Sequence, residues 1–156
     1  MEFKVGQIFA TDEEKLSVAI AEAHLGLSEG GIPIGAALFD EHGALLGSGH
    51  NLRVQEGDAS MHGETSAFRN AGRQKSYRKV TLATSLSPCW YCSGLIRQFG
   101  IGRVLVGDDK NFMGGQDWVA EHGAEVHVMN DPGLIKLMGD FIDNNDALWN
   151  EDIGEE

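Results

Sequence analysis

Short apolar runs alternate along the chain with polar breaks punctuated by glycine. Leu16, Ala19, Ile20, Ala23 and Leu27 recur at helical spacing, the pattern of one buried helix face. Thr11-Asp12-Glu13-Glu14 gives this run the opening form of a capping box, a threonine at the cap and a glutamate three residues on. Gly30-Gly31 stops it. An apolar run over 32–39 reads as a strand, Asp40-Glu41-His42-Gly43 as a turn, and 44–46 as the start of a second strand, so the two form a hairpin. A polar loop over 52–61 leads into a helix that opens at His62 and ends near Gly72. A strand over 80–84 follows. Pro88 stands where a helix begins, a position that tolerates its missing N–H; the helix runs over 89–99 and Gly100 ends it. Residues 103–107 read as a buried strand and 125–129 as another, with a short helix over 118–122 between them. A last helix over 134–142 precedes the acidic stretch 143–156, which composition alone makes an exposed tail. Strand and helix alternation after the hairpin predicts a mixed five-stranded sheet with helices on both faces, a three-layer α/β/α sandwich.

Composition narrows the setting. The chain has 156 residues, 42% hydrophobic and 23% charged, an ordinary globular balance that fits one domain over 1–156. Acidic residues number 24 against 12 basic, a net charge of −12. Affinity for nucleic acid rests mainly on Lys and Arg neutralising phosphates, so a polyanion is the wrong partner and a small neutral or cationic molecule the better one. No apolar run approaches the ~18 residues of a membrane span, and Met1-Glu2-Phe3-Lys4-Val5-Gly6 lacks the basic-then-apolar layout of a secretory signal. Two cysteines, Cys89 and Cys92, are too few and too close for a disulfide framework. The expectation is a cytoplasmic protein whose thiols serve chemistry or metal.

Residues three apart share a helix face, so Cys89 and Cys92 can address one atom. Both fall in a first turn, where free backbone N–H groups and the helix dipole favour thiolate. A lone Cys-x-x-Cys leaves metal binding, a redox pair and an inert pair open. His62 and Glu64 change the balance. Residues two apart on a helix wall point about 200° apart, so these two converge only at a helix end, and the polar loop before His62 supplies one. Any single histidine is more often a satisfied surface or core residue than a ligand, and Glu64 alone is an ordinary helix former. The joint pattern His62-Gly63-Glu64, then Pro88-Cys89-Trp90-Tyr91-Cys92, matches the signature of zinc deaminases acting on cytosine or adenine rings. Three ligands, His62, Cys89 and Cys92, balance a divalent zinc ion and leave a fourth position for water. In that chemistry the acidified water attacks ring C4 and Glu64 shuttles protons to N3 and to the departing ammonia.

The sequence resembles the cytidine-deaminase-like superfamily, and within it the fungal-type cytosine deaminases that act on the free base. The resemblance is carried by Glu29-Gly30-Gly31-Ile32-Pro33-Ile34-Gly35, Gly49-His50-Asn51, His62-Gly63-Glu64, Leu86-Ser87-Pro88-Cys89, Val106-Gly107, Asn111-Phe112 and Trp149-Asn150-Glu151-Asp152-Ile153-Gly154-Glu155. It implies an α/β/α homodimer with one zinc per subunit, a nucleobase substrate and a role in pyrimidine salvage. It places zinc on His62, Cys89 and Cys92 and proton transfer on Glu64. Asn51, Asp152 and the Gly63 N–H are implied to bind the base, Phe112 and Trp149 to wall it, and Ile34 and Leu86 to line the pocket. Asp152 would accept the N1–H that a free base carries and a nucleoside lacks. The chain departs from the fungal pattern at Trp90-Tyr91 and at Thr65, which bears on pocket size or on a subunit contact. Guanine or another small amino-heterocycle is the alternative substrate. A non-catalytic zinc module, the rival from another functional class, needs a fourth ligand that the spacing does not nominate.

Overall fold

The computed structural model describes residues 3–155. Helix α1 (Asp12–Ser28) lies where the apolar spacing puts it, and Thr11 Oγ1 accepts the Glu14 N–H at 3.1 Å. The return arm of the box reaches one residue further back, Glu14 Oε2 accepting from Ala10 N at 2.8 Å. Strands β1 (Gly35–Phe39) and β2 (Leu45–His50) form the predicted hairpin. β1 starts later than the apolar run, since Pro33 has no N–H for a ladder and Ile34 N turns back to Ile32 O at 2.8 Å. The loop read over 52–61 holds one helical turn, α2 (Arg53–Glu56). Then follow α3 (Gly63–Ala71), β3 (Thr81–Thr84), α4 (Trp90–Phe99), β4 (Arg103–Val106), α5 (Gln116–Glu121), β5 (Glu125–Val128), α6 (Pro132–Asn144) and α7 (Asp146–Ile153).

The sheet order is β2-β1-β3-β4-β5. β1 is antiparallel to both its neighbours, and β3, β4 and β5 run parallel, so the sheet is mixed as expected. Its side chains alternate between two apolar layers. Ala36, Leu38, Leu82, Val104 and Val106 meet Ala67 of α3, Ile96 of α4 and Val119 of α5. Ala37, Phe39, Ala83 and Leu105 meet Leu16, Val18 and Ala19 of α1 and Leu134 of α6. That is the three-layer α/β/α arrangement. Gly35 lets α1 close onto β1: a Cβ there would lie 2.2 Å from the Ala19 carbonyl oxygen.

Three expectations need correcting. β5 is not a buried strand; it pairs on one side only, and Glu125 to Val128 are partly or fully exposed because no strand among the described residues lies beyond them. Cys89 is the N-cap of α4 rather than its first helical residue, which puts Pro88 just outside the helix. The acidic stretch is not exposed throughout its described residues 143–155. Within it α7 turns Trp149, Asp152 and Ile153, at i, i+3 and i+4, toward the body of the protein, and Trp149 packs with Ile32, Ile34, Leu86, Met138 and Phe141. Among the described residues no helix is long and apolar enough to cross a membrane.

Candidate functional site

The segments that leave the C-terminal ends of β3 and β4 carry 85–89 and 107–115, and the chemistry-bearing residues gather there, as ligand sites in open α/β sheets do. His62 is the N-cap of α3. Its N–H donates to Thr65 Oγ1 at 2.8 Å, and that hydroxyl donates to Ser60 O at 2.8 Å. Thr65, one of the two departures, therefore fixes the backbone that presents His62. Tyr91 stands edge-on to the imidazole with ring centroids 5.0 Å apart, and its hydroxyl donates to Ser60 O. Trp90 is 65% exposed and packs against Trp118. Neither Trp90 nor Tyr91 lines the cavity described below. Tyr91 thus braces the imidazole from outside, and both residues line an adjoining depression that shares His62, Cys89, Phe112 and Asp152 with that cavity.

Cys89, at the N-cap of α4, accepts the Cys92 N–H at 3.5 Å, and its Sγ lies 3.5 Å from His62 Nδ1. The ligand atoms of His62, Cys89 and Cys92 lie within 4.8 Å of one another. A zinc tetrahedron with Zn–S near 2.3 Å and Zn–N near 2.0 Å has edges of roughly 3.5–3.8 Å, so the donor set fits zinc in both type and spacing. These three residues are positioned to bind a metal ion. In the protein by itself they share protons. The Cys92 bond and the imidazole pull the Cys89 thiol down to about 4 against the effect of burial. Burial pulls His62 down, but the adjacent thiolate outweighs it and carries the imidazole to about 9. Cys92 is raised well above a usual thiol by its bond to Cys89 and by burial.

Glu64 sits in the first turn of α3, 4% exposed, and burial lifts its carboxyl to about 7. It faces a small, partly open cavity of about 20 Å³. His62, Glu64 and Cys89 line one part of its wall, and Ile34, Leu86, Asn51, Phe112, Trp149 and Asp152 line much of the rest. Phe112 and Trp149 meet edge to face at 5.7 Å. Gly63 and Cys92 lie outside that wall. Gly63 is the first residue of α3, its N–H has no acceptor among the described residues, and a Cβ there would sit 3.1 Å from Ile34 O. Asn51 is fully buried; its Oδ1 accepts from Arg53 N at 2.9 Å, an Asx turn, while its Nδ2 donates to Asp152 Oδ1 at 3.3 Å.

Three residues at the site escape a reading of the sequence. Ser87 and Ile153 line the cavity, Ser87 donating to Gln116 Oε1 at 2.6 Å. Arg53 lies outside the cavity wall and donates from Nε to Asp152 Oδ1 at 2.9 Å and from Nη1 to Glu151 Oε1 at 3.0 Å. The only signal for Arg53 is a lone cation two residues after Asn51 in an acidic chain, and nothing in the spacing joins it to a residue 99 positions away.

Residues 9–108 match the cytidine and deoxycytidylate deaminase zinc-binding region. The chain is 45% identical to a cytosine deaminase of Candida albicans, over 92% of this chain and 97% of that one. It is 34% identical to a tRNA-specific adenosine deaminase of Haemophilus influenzae over 62% of this chain and 57% of that one. Among solved structures, a guanine deaminase from Nitrosomonas europaea superposes with a TM-score of 0.74 at 18% identity, covering 87% of each chain. A tRNA:A34 deaminase superposes at 0.66 and 22% identity, covering 75% of this chain and 98% of that one. At that identity the superpositions speak for the fold, while sequence identity and the matched zinc-binding region speak for descent: the chain belongs to the zinc-dependent cytidine and deoxycytidylate deaminase family, in its fungal-type cytosine deaminase group.

Proposed function

We propose that the protein is a zinc-dependent hydrolase that converts free cytosine to uracil and ammonia. The observation that carries the reading is the make-up of the cavity wall: a buried carboxyl, two of the three residues of a metal-ligand cluster and a second carboxylate, that of Asp152, converge on one small, partly open space. The relative with high identity over nearly its whole length is a cytosine deaminase. Zinc held by His62, Cys89 and Cys92 supplies a water acidic enough to act as nucleophile near neutral pH.

The chain's own residues do the rest. Phe112 and Trp149 together wall one side of the ring, and Ile34 and Leu86 bound it. Asp152 accepts the ring N1–H, Asn51 and the Gly63 N–H bond the polar edge, and together they bring N3 and C4 to Glu64. Glu64 takes one proton from the attacking water and delivers it to N3, then takes a second from the oxygen newly bonded to C4 and delivers it to the amino nitrogen as ammonia leaves. A ribose on N1 would clash with Asp152 and leave its second carboxylate oxygen without a donor, which costs at least about 1–3 kcal/mol.

The same reading makes the protein a single-domain, cytoplasmic homodimer of pyrimidine salvage with no nucleic-acid partner. The net charge of −12 supports the last point, and two cysteines spent on metal fit a reducing compartment. Zinc-loaded protein tested for ammonia release on cytosine, cytidine, guanine, adenine and creatinine decides the substrate. Cytosine turnover with uracil as product is expected; turnover of guanine in place of cytosine would overturn the assignment.

A further inference from the structure

We infer that Arg53 is a positioning residue for the Asp152 carboxylate and thereby helps select the free base, an inference that rests on the reading of Asp152 as acceptor of the ring N1–H. Helix α7 places Glu151 and Asp152 side by side in its last turn, before its C-cap Gly154. That end of a helix carries the negative pole of its dipole, so two adjacent carboxylates there repel each other and the helix. No side chain caps the other end of α7, at Asn145. Asp152 is also withdrawn from water, its side chain 5% exposed. Something must offset this.

Among the described residues the only cation within salt-bridge reach of either carboxylate is Arg53. Its side chain is 14% exposed, and one guanidinium spans both acids, Nε on Asp152 and Nη1 on Glu151. Asn51 locks the arrangement from below. It takes the Arg53 backbone N–H on Oδ1 and gives its own Nδ2–H to the same Asp152 oxygen that Arg53 holds. Both protein donors therefore fall on Oδ1, and no protein donor among the described residues reaches Oδ2. Oδ2 is the acceptor left for a ligand N–H in the cavity that Asp152 lines. A planar guanidinium fixes the plane of a carboxylate as well as its charge, which an ammonium does not. Arg53 does not itself line the cavity, so it acts through Asp152 and not on the substrate.

The test compares zinc-loaded wild type with Arg53→Gln, Arg53→Lys, Asp152→Asn and the double variant Arg53→Gln/Asp152→Asn, measuring ammonia release from cytosine at a temperature well below every melting point. Arg53→Gln is expected to raise KM at least about tenfold, the worth of a charge-assisted hydrogen bond, with the rise in KM exceeding any fall in kcat. Arg53→Lys keeps the charge and recovers part of the loss. In the Asp152→Asn background the same Arg53→Gln change moves KM by less than twofold, because its target is gone. A merely structural arginine would lower melting temperature and the active fraction equally in both backgrounds without this coupling. A KM in Arg53→Gln within twofold of wild type, or an undiminished effect beside Asp152→Asn, overturns the proposal. If Arg53→Gln does not fold, an Arg53→Lys protein with wild-type KM overturns it. No wild-type turnover of cytosine refutes the functional reading and this proposal together; wild-type turnover with unchanged variants refutes this proposal alone.

Discussion

Replacing Glu64 by Gln keeps the shape of the side chain and removes its charge, and the structure fixes the sign of two separate consequences. Burial carries the carboxyl from its ordinary 4.5 to about 7. Between those values the unfolded chain has released the proton and the fold still holds it, so this residue's contribution to stability is complete below pH 4.5 and is lost as pH rises through 7. At about 1.4 kcal/mol per pH unit, the loss reaches about 3 kcal/mol. Glutamine has no proton to lose. Metal-free Glu64→Gln is therefore expected to match the metal-free wild type near pH 4.5 and to exceed it by about 3 kcal/mol at pH 8, or roughly 6–12 °C in melting temperature for a chain of this size. Zinc-loaded Glu64→Gln is expected to retain metal and lose about 10²–10⁴-fold in kcat, the usual worth of a positioned acid–base group. Denaturant titrations at a series of pH values read the first effect and ammonia release reads the second. A stability difference that does not change with pH would refute the desolvation argument, and wild-type-like turnover would remove Glu64 from proton transfer.

Other consequences follow from the same geometry. At pH 7 the metal-free cluster carries protons on His62 and Cys92 while Cys89 is already a thiolate, so zinc uptake is expected to release about two protons; calorimetry in buffers of different ionisation enthalpy counts them, and a count near zero contradicts the assigned protonation. Chelation abolishes ammonia release and zinc restores it. Asp152→Ala is expected to cut kcat/KM on free cytosine by at least tenfold, and intact turnover would free Asp152 of its role. His50, buried and raised by its bonds to Glu22 Oε2 (3.2 Å) and Glu29 Oε1 (2.7 Å), contributes stability that is complete below about pH 6.5 and is lost as pH rises through its raised value. A His50→Gln variant should flatten that fall in a stability–pH profile, and an unchanged slope would show that the two contacts do not hold the proton.

The layers of the fold were legible because two periodicities are clean: helical spacing from Leu16 to Leu27 and the apolar strand cores at 80–84 and 103–107. What stayed hidden was contact between distant segments. Glu125 and His127 alternate with Val126 and Val128 as a strand does, but nothing local says that β5 has a neighbour on one side only. The metal ligands were readable because a helix end constrains short spacings such as His-x-Glu and Cys-x-x-Cys. Asp152 was not readable by pattern: in a run of acids its burial depends on Trp149 packing 115 positions from Ile34. Only family resemblance pointed there. Arg53 escaped both routes, since its partners lie on α7.

The division between what pattern could and could not reach follows a division in the molecule. The matched zinc-binding region covers residues 9–108, and that segment holds His62, Glu64, Cys89 and Cys92, all at the starts of helices anchored on the sheet. Phe112, Trp149 and Asp152 lie beyond it, on the loop after β4 and on α7. The metal ligands and the proton carrier thus sit on elements whose geometry the sheet dictates, where a displacement of either helix would break the core of Ala67, Ile96 and Val104. The walls proposed to meet the ring at Phe112, Trp149 and Asp152 are held by more replaceable contacts: an edge-to-face aromatic pair, one guanidinium and a helix without a side-chain N-cap. Such walls can change without disturbing the ligand cluster. On the proposed function, a single reaction can then be kept while the accepted ring changes, and the residues that decide the ring are to be sought on α7 and the loop after β4 as well as at Ile34, Asn51 and Leu86 within the matched region.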